Sequence, residues 1–311
     1  MTLSEYLYEN IYRKAFDKTW SKLVGGVLLA FLNVLMFLFI MPIGGIYPAI
    51  ADWGIWIYRL AGINIQPPWG SLELPHLSII SVLTFGLLFG FFLAALFSKQ
   101  FKVRKDTVSG YFQGFIGGAL MGIGSLLVGA CIIGGFYSAV MTLSLSGFYM
   151  MGGLIIGGYF GGKVLMWQGH RKAKKIVTEI KIIPKGSVEK EYKSRQPITG
   201  ILLVIVLFAI ASAYFLSGKN LLGGIILFGA AFGIVIQRSA FCLCGAFREI
   251  FTTKKNETMR SLMISLAIGV IGFTIIKANG FRPADMFVLP AGWSSVIGGA
   301  IFGFGMVITG G

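Results

Sequence analysis

GYFQGFIGGALMGIGSLLVGACIIGG, residues Gly110 to Gly135, opens a run of 53 residues ending at Gly162 that contains no Asp, Glu, Lys or Arg. At 1.5 Å per helical residue and roughly 30 Å of hydrocarbon, about 20 residues make one crossing, so the run is long enough for two. Sixteen of the 53 are glycine. A simple apolar anchor has no use for so many positions without side chains. The stretch therefore either packs backbones at close range or breaks its helices to expose backbone groups, and both readings place it in the middle of a bundle.

The rest of the chain agrees with a membrane setting. Of its 311 residues 56% are hydrophobic and 13% charged, and the mean hydropathy is +0.80; soluble domains carry about 25% charge. The formal charge of +15 sits in short basic blocks beside apolar segments. That is the pattern of positive-inside topology, and no nucleic-acid-binding fold is expected. Three cysteines, all in or next to apolar segments, exclude a secreted disulfide framework.

In order, residues 1–22 read as a cytoplasmic interfacial segment, and 23–162 as a first transmembrane half. Its spans are Leu23 to Ile43, His76 to Phe97, and a hairpin from Gly110 to Gly162. Residues 163–196 read as a basic cytoplasmic loop, with ten Lys or Arg against three Glu before the next span. Residues 197–311 form a second half with spans near Pro197 to Leu216, Leu221 to Phe241 and Met259 to Ile276, then a last apolar segment. The charge pattern puts the N-terminus in the cytoplasm of a multi-pass inner-membrane protein.

An internal repeat links the two halves. IGGALMGIGSLLVGAC from Ile116 matches IGGAIFGFGMVITGG from Ile297 without a gap, so Gly117, Gly118, Ala119, Gly122, Gly124 and Gly129 fall on Gly298, Gly299, Ala300, Gly303, Gly305 and Gly310. Ala130 falls on Gly311. Cys131 would then have its counterpart one residue beyond Gly311, so a truncated C-terminus is expected. The topology sends the first copy outward and the second inward, as inverted repeats do. A weaker echo, FGLLFG at Phe85 and FGAAFG at Phe228, does not invert. The expected fold class is thus an all-α polytopic membrane protein, a helical bundle of two pseudo-symmetric repeats with short or broken glycine-rich intramembrane helices.

The sharpest chemical constellation is QRSAFCLCGAFRE, Gln237 to Glu249. Arg238 at the end of an apolar span either snorkels to the headgroups or offers its five fixed donors to an oxyanion. Cys242-x-Cys244 is neither a CxxC redox motif nor, without histidine nearby, a zinc site. Cysteine in a membrane helix is ordinarily a small packing residue; thiols along one path would also suit a sulfur-containing ligand, as weak donors or as nucleophiles. No Walker motif, nucleophile elbow or metal-binding His pair is present.

At QRSAFC and the two glycine ladders the sequence resembles the YeeE/YedE family of sulfur-transport membrane proteins, from the first span to Gly311. The resemblance implies an hourglass-like bundle whose central cysteines pass thiosulfate by transient thiol–anion hydrogen bonds. It implies uptake rather than enzymatic chemistry, no cofactor, and a selenium connection in some members. The resemblance carries the path onto Cys131 and Cys242, with a third cysteine expected after Gly311; Cys244 is additional to the family's pattern and is read beside them as a path residue, with Arg238, Gln237 and the ladder ends Gly129, Gly310 and Gly311. Expected partners are a small sulfur anion, the bilayer and a cytoplasmic sulfurtransferase. The alternative is a sulfur- or selenium-handling protein that forms a covalent persulfide or selenide on Cys242 or Cys244.

Overall fold

The computed structural model describes residues 19–67, 72–99, 101–102, 107–177, 196–253 and 256–309. The expected interfacial segment at the N-terminus, most of the basic loop, and Gly310 and Gly311 lie outside them. Among the described residues every regular element is helical. Eleven helices follow one another: α1 (Lys22–Phe39), α2 (Tyr47–Leu60), α3 (Ile79–Phe97), α4 (Val108–Val128), α5 (Ile132–Met141), α6 (Leu145–Val177), α7 (Gln196–Leu216), α8 (Asn220–Ser239), α9 (Leu243–Thr252), α10 (Glu257–Ala278) and α11 (Trp293–Ile308). Six stretches among them are long and apolar enough to cross a membrane: α1, α3, α4, α7, α8 with α9, and α10. The protein is a multi-pass, all-helical membrane protein.

Local chemistry sets the boundaries. Ser21 caps α1, its hydroxyl accepting from the Val24 amide at 3.3 Å, and Thr107 caps α4 by accepting from Gly110 N. α1 stops at Phe39, short of the expected Ile43, because Met41 precedes Pro42 and that position disfavours helix. The Gly110–Gly162 run is not a plain hairpin. Gly129, at φ +80°, ends α4 in the left-handed region, where glycine carries no Cβ penalty. A short helix, α5, begins in π geometry with Cys131 as its N-cap, before α6 starts at Leu145.

Four seams hold the bundle, each joining an early helix to a late one. In a bilayer the lipid is as apolar as leucine, so close backbone packing replaces hydrophobic burial as the driving term. α3 lies on α8, where Gly86 and Gly90 meet the backbone of Ile226 and Ala230, and Gly229 and Gly233 meet that of Leu83 and Leu87. The residue numbers rise together, so the helices are parallel, and the weak FGxxFG echo is the pair of surfaces that forms this seam. α11 lies on α4 in the opposite sense: a Cβ at Gly117 would stand 2.8 Å from Gly305 O, and one at Gly124 would stand 2.6 Å from Gly298 O. The other side of α11 rests on α6, where Gly299 and Gly303 approach Met150 O and Leu154 O.

The fourth seam joins α1 to α10. Phe37 stacks on Phe273 with centroids 4.3 Å apart, and the Ser265 hydroxyl donates to Gly26 O at 2.7 Å. At the helix starts, Lys22 Nζ lies 3.0 Å from Glu249 of α9 and also donates to Thr258 of α10, which itself donates to Glu249. The pair is about three-quarters buried, so it outweighs an exposed ion pair. Glu249→Gln should lower the melting temperature of the detergent-solubilised protein, with a smaller difference from wild type at 1 M salt, where the Debye length is about 3 Å. An unchanged melt would mean the pair contributes nothing.

Candidate substrate path

Between the seams lies a half-open cavity of about 160 Å³. Roughly 10–15 Å³ of this kind of volume holds one water, so there is room for a small molecule of several heavy atoms. Leu29 of α1, Leu87 and Phe91 of α3, Tyr137 of α5 and Phe232 of α8 supply most of the wall, with Ile43 and Ile46 from the α1–α2 connection. The wall is almost wholly aliphatic and aromatic. Its chemical exceptions are the thiols of Cys242 and Cys244.

Two short helices begin at this space. α8 ends at Ser239, and Ala240 turns the chain through the left-handed region at φ +48°. Cys242 then N-caps α9, its sulfur accepting from the Gly245 amide at 3.3 Å. Leu243 and Cys244, the first residues of α9, and Ile132 and Ile133, the first of α5, all line the wall. Helix N-termini leave amide N–H groups without intrahelical partners and carry partial positive charge. An anion in this apolar chamber would otherwise face a steep desolvation cost, and these two helix ends are where the backbone can offset it.

Cys131 sits just behind the wall. Its sulfur packs against Gly45, and Gly134 of the same turn packs against Gly44 O. Gly45 itself has φ +86°, so a side chain there meets both a strained backbone and the thiol. Gly45→Ala should cost about 1–2 kcal/mol from the backbone alone and displace Cys131. A drop in melting temperature should accompany changed labelling of Cys131 by a small thiol reagent, and unchanged values of both would contradict the packing.

The position of that connection is fixed by Asn33, the one strongly polar residue of α1 after Lys22 and fully buried. Its Oδ1 accepts from the Ile43 amide at 2.9 Å, and its Nδ2 donates to Ser138 Oγ at 3.2 Å. Ser138 Oγ in turn donates to Ile43 O at 2.7 Å. Tyr137 OH pairs with Ser265 Oγ at 2.6 Å. These contacts anchor α5 to α1 and α10.

The sequence-expected residues therefore divide. Cys242 and Cys244 face the chamber and Cys131 adjoins it. Arg238 is completely buried, which removes the snorkelling reading; it lies off the chamber wall, and its carbonyl accepts from Trp20 N at 3.0 Å. Gln237 is half-buried beside it, and its side-chain oxygen is buried without a hydrogen-bond partner among the described residues. Gly129 shapes the turn into Cys131. Sequence reasoning missed α9 as a separate helix, the Gly44–Gly45 contact and the Asn33–Ser138–Ile43 network. The available signals were Cys242 three residues before Gly245, the Gly-Gly pair, and a lone Asn in an apolar span. Among the described residues no cluster of three metal-ligating side chains occurs.

A glycine-seamed helical bundle with an apolar, thiol-bearing cavity among its helices is the architecture of a polytopic membrane protein. The chain belongs to the sulphur-transport family, whose model matches residues 4–160 and 238–311; all three cysteines, α5 and α9 fall within the matched regions, and most of α8 does not. It is similar to "Probable transporter YedE" of Escherichia coli (strain K12), 28% identical over 268 residues, which is 83% of this chain and 65% of that protein. The protein of the same name from Salmonella typhimurium (strain LT2) is 27% identical over 266 residues, with the same shares covered. "Thiosulfate transporter TsuA" of Escherichia coli (strain K12) is 40% identical over 85 residues, 27% of this chain and 23% of that protein. The chain thus spans about 65% of the length of the YedE relatives. No solved structure matches it.

Proposed function

We propose that the protein takes up a small sulfur oxyanion, thiosulfate foremost, across the cytoplasmic membrane by way of the chamber at Cys242 and Cys244. The observation that carries this reading is the meeting of two thiols and two helix N-termini at one half-open apolar cavity, in a chain of the sulphur-transport family. Thiols are weak donors and the polarisable sulfur tolerates a soft anion. They hold it lightly, as conduction requires, since a site that binds too well does not release. Cys131, behind Gly45, is the next thiol along the route. The basic blocks between spans support a cytoplasmic N-terminus and would favour anion exit on that side; a cytoplasmic sulfurtransferase would receive the cargo.

The test is growth of an uptake-deficient host on thiosulfate as sole sulfur source, using the full-length protein. Each lost thiol donor should cost about 1–1.5 kcal/mol of passage free energy, close to tenfold in uptake. Cys242→Ala and Cys131→Ala should each slow thiosulfate-dependent growth while leaving sulfate-dependent growth unchanged in a sulfate-competent host. If both variants take up labelled thiosulfate at the wild-type rate, the thiols are not the path. Mass spectrometry distinguishes the covalent alternative, since a persulfide on Cys242 or Cys244 that outlasts turnover would replace the relay.

A further inference from the structure

Toward the start of α3 the chamber gives way to a second, smaller cavity of about 10 Å³. Ile43, Ile46, Leu87 and Ile133 line both spaces, so these four side chains stand between them. The two cavities follow one another along α3. Leu87 and Phe91 face the chamber, and Leu83 and Thr84, about one helical turn nearer the helix start, face the smaller cavity. That cavity has room for about one water. Its side chains offer an anion no donor: the Thr84 hydroxyl is already given to Ile80 O at 2.8 Å, and its other lining residues are aliphatic or Gly45. The chamber, by contrast, has thiols and helix N-termini on its wall.

We infer that Ile43, Ile46, Leu87 and Ile133 form an apolar gate at this end of the solute path, shut in the conformation seen here, and that it selects solutes by how readily they shed hydration. The inference rests on reading the chamber as part of that path. Aliphatic side chains meeting around a space of one water exclude ions by dewetting, because an ion that enters must leave its hydration behind before it reaches any donor beyond. A soft, weakly hydrated anion loses less there than a strongly hydrated one. The four residues come from separate parts of the chain, the α1–α2 connection, α3 and α5. Two of them are tied to the frame: Leu87 lies in the α3–α8 seam, where its backbone meets Gly229 and Gly233, and the Ile43 amide is held by Asn33. Ile46 and Ile133 are only half-buried, so they are the two that can be altered without opening a seam.

The test separates wetting from size. Full-length protein in right-side-out and in inverted membrane vesicles is exposed to a membrane-impermeant anionic methanethiosulfonate, and modification of Cys242 is followed by peptide mass spectrometry. Ile46→Thr should speed modification several-fold from the face at which α3 begins. Ile46→Val, close to threonine in size but without the hydroxyl, should change it little, and Ile133→Thr and Ile133→Val should repeat the contrast. From the other face the rates should be alike for all the variants. Equal rates for the threonine and valine variants would overturn the gate. A threonine effect of the same size from both faces would also overturn it, because the change would then lie in the chamber itself. The reagent reports access whatever solute the protein carries, so failure of thiosulfate-dependent growth would leave a positive result here standing, and equal rates here would leave the uptake reading standing.

Discussion

Gly157→Leu is expected to cost about 3 kcal/mol or more of stability, the upper end of what overpacking does. A Cβ at this position meets Ala300 O, lies 2.7 Å from Ala300 C and lies 2.8 Å from Phe304 N. All three are backbone atoms of α11, so no side chain can swing aside, and the helices must separate along the seam. Because α11 also carries the α4 seam, the separation opens two interfaces together. Gly152→Leu is the matched control on the same helix: nothing stands within 4 Å of a Cβ there, so its cost should be small. Equilibrium unfolding in mixed micelles measures both. Similar losses for the two variants would show that α6 rejects leucine for some reason other than its contact with α11.

Asn33→Leu should cost about 2–4 kcal/mol, although leucine is the more favourable residue in hydrocarbon. Transfer scales alone would predict stabilisation of α1. The opposite is expected because Asn33 satisfies the buried Ile43 amide and one bond of Ser138, and each buried polar group left unsatisfied costs about 1–3 kcal/mol. Ser138→Ala removes a smaller part of the same network and should cost about 1 kcal/mol. Ile43 lines the chamber, so under the proposed function Asn33→Leu should also slow thiosulfate uptake. A melting temperature at or above wild type for Asn33→Leu would sink this account of the connection.

Much of the architecture was legible from residue spacing because it rests on two strong regularities. Uncharged runs of span length gave the membrane helices, and the IGGA ladders marked the two surfaces that face each other across α4 and α11. The non-inverting FGxxFG echo was visible without its meaning, which is the parallel seam between α3 and α8. The breaks were harder to see. α5 and α9 depend on single backbone events, Gly129 at φ +80° and Ala240 at φ +48°, and a residue that enters the left-handed region once leaves no periodic trace. The candidate site was half legible. The cysteines and QR pair stand out in the sequence, but whether Arg238 faces lipid, protein or the chamber is a matter of rotation about α8, and its apolar neighbours fit all three.

The seams also impose an order of events on synthesis. Gly117 waits for Gly305, and Gly86 for Ile226, across about 190 and 140 residues of chain. At roughly 5–20 residues per second, the first ladder spends about 10 to 40 s in the bilayer before the helix that covers it has been made. Throughout that interval α4 presents a bare glycine surface on which any other small-residue helix could settle. A nascent chain of this design is most vulnerable to mispairing while its second half is still on the ribosome, and slowing translation between α7 and α11 should lower the yield of folded protein more than slowing it before α4.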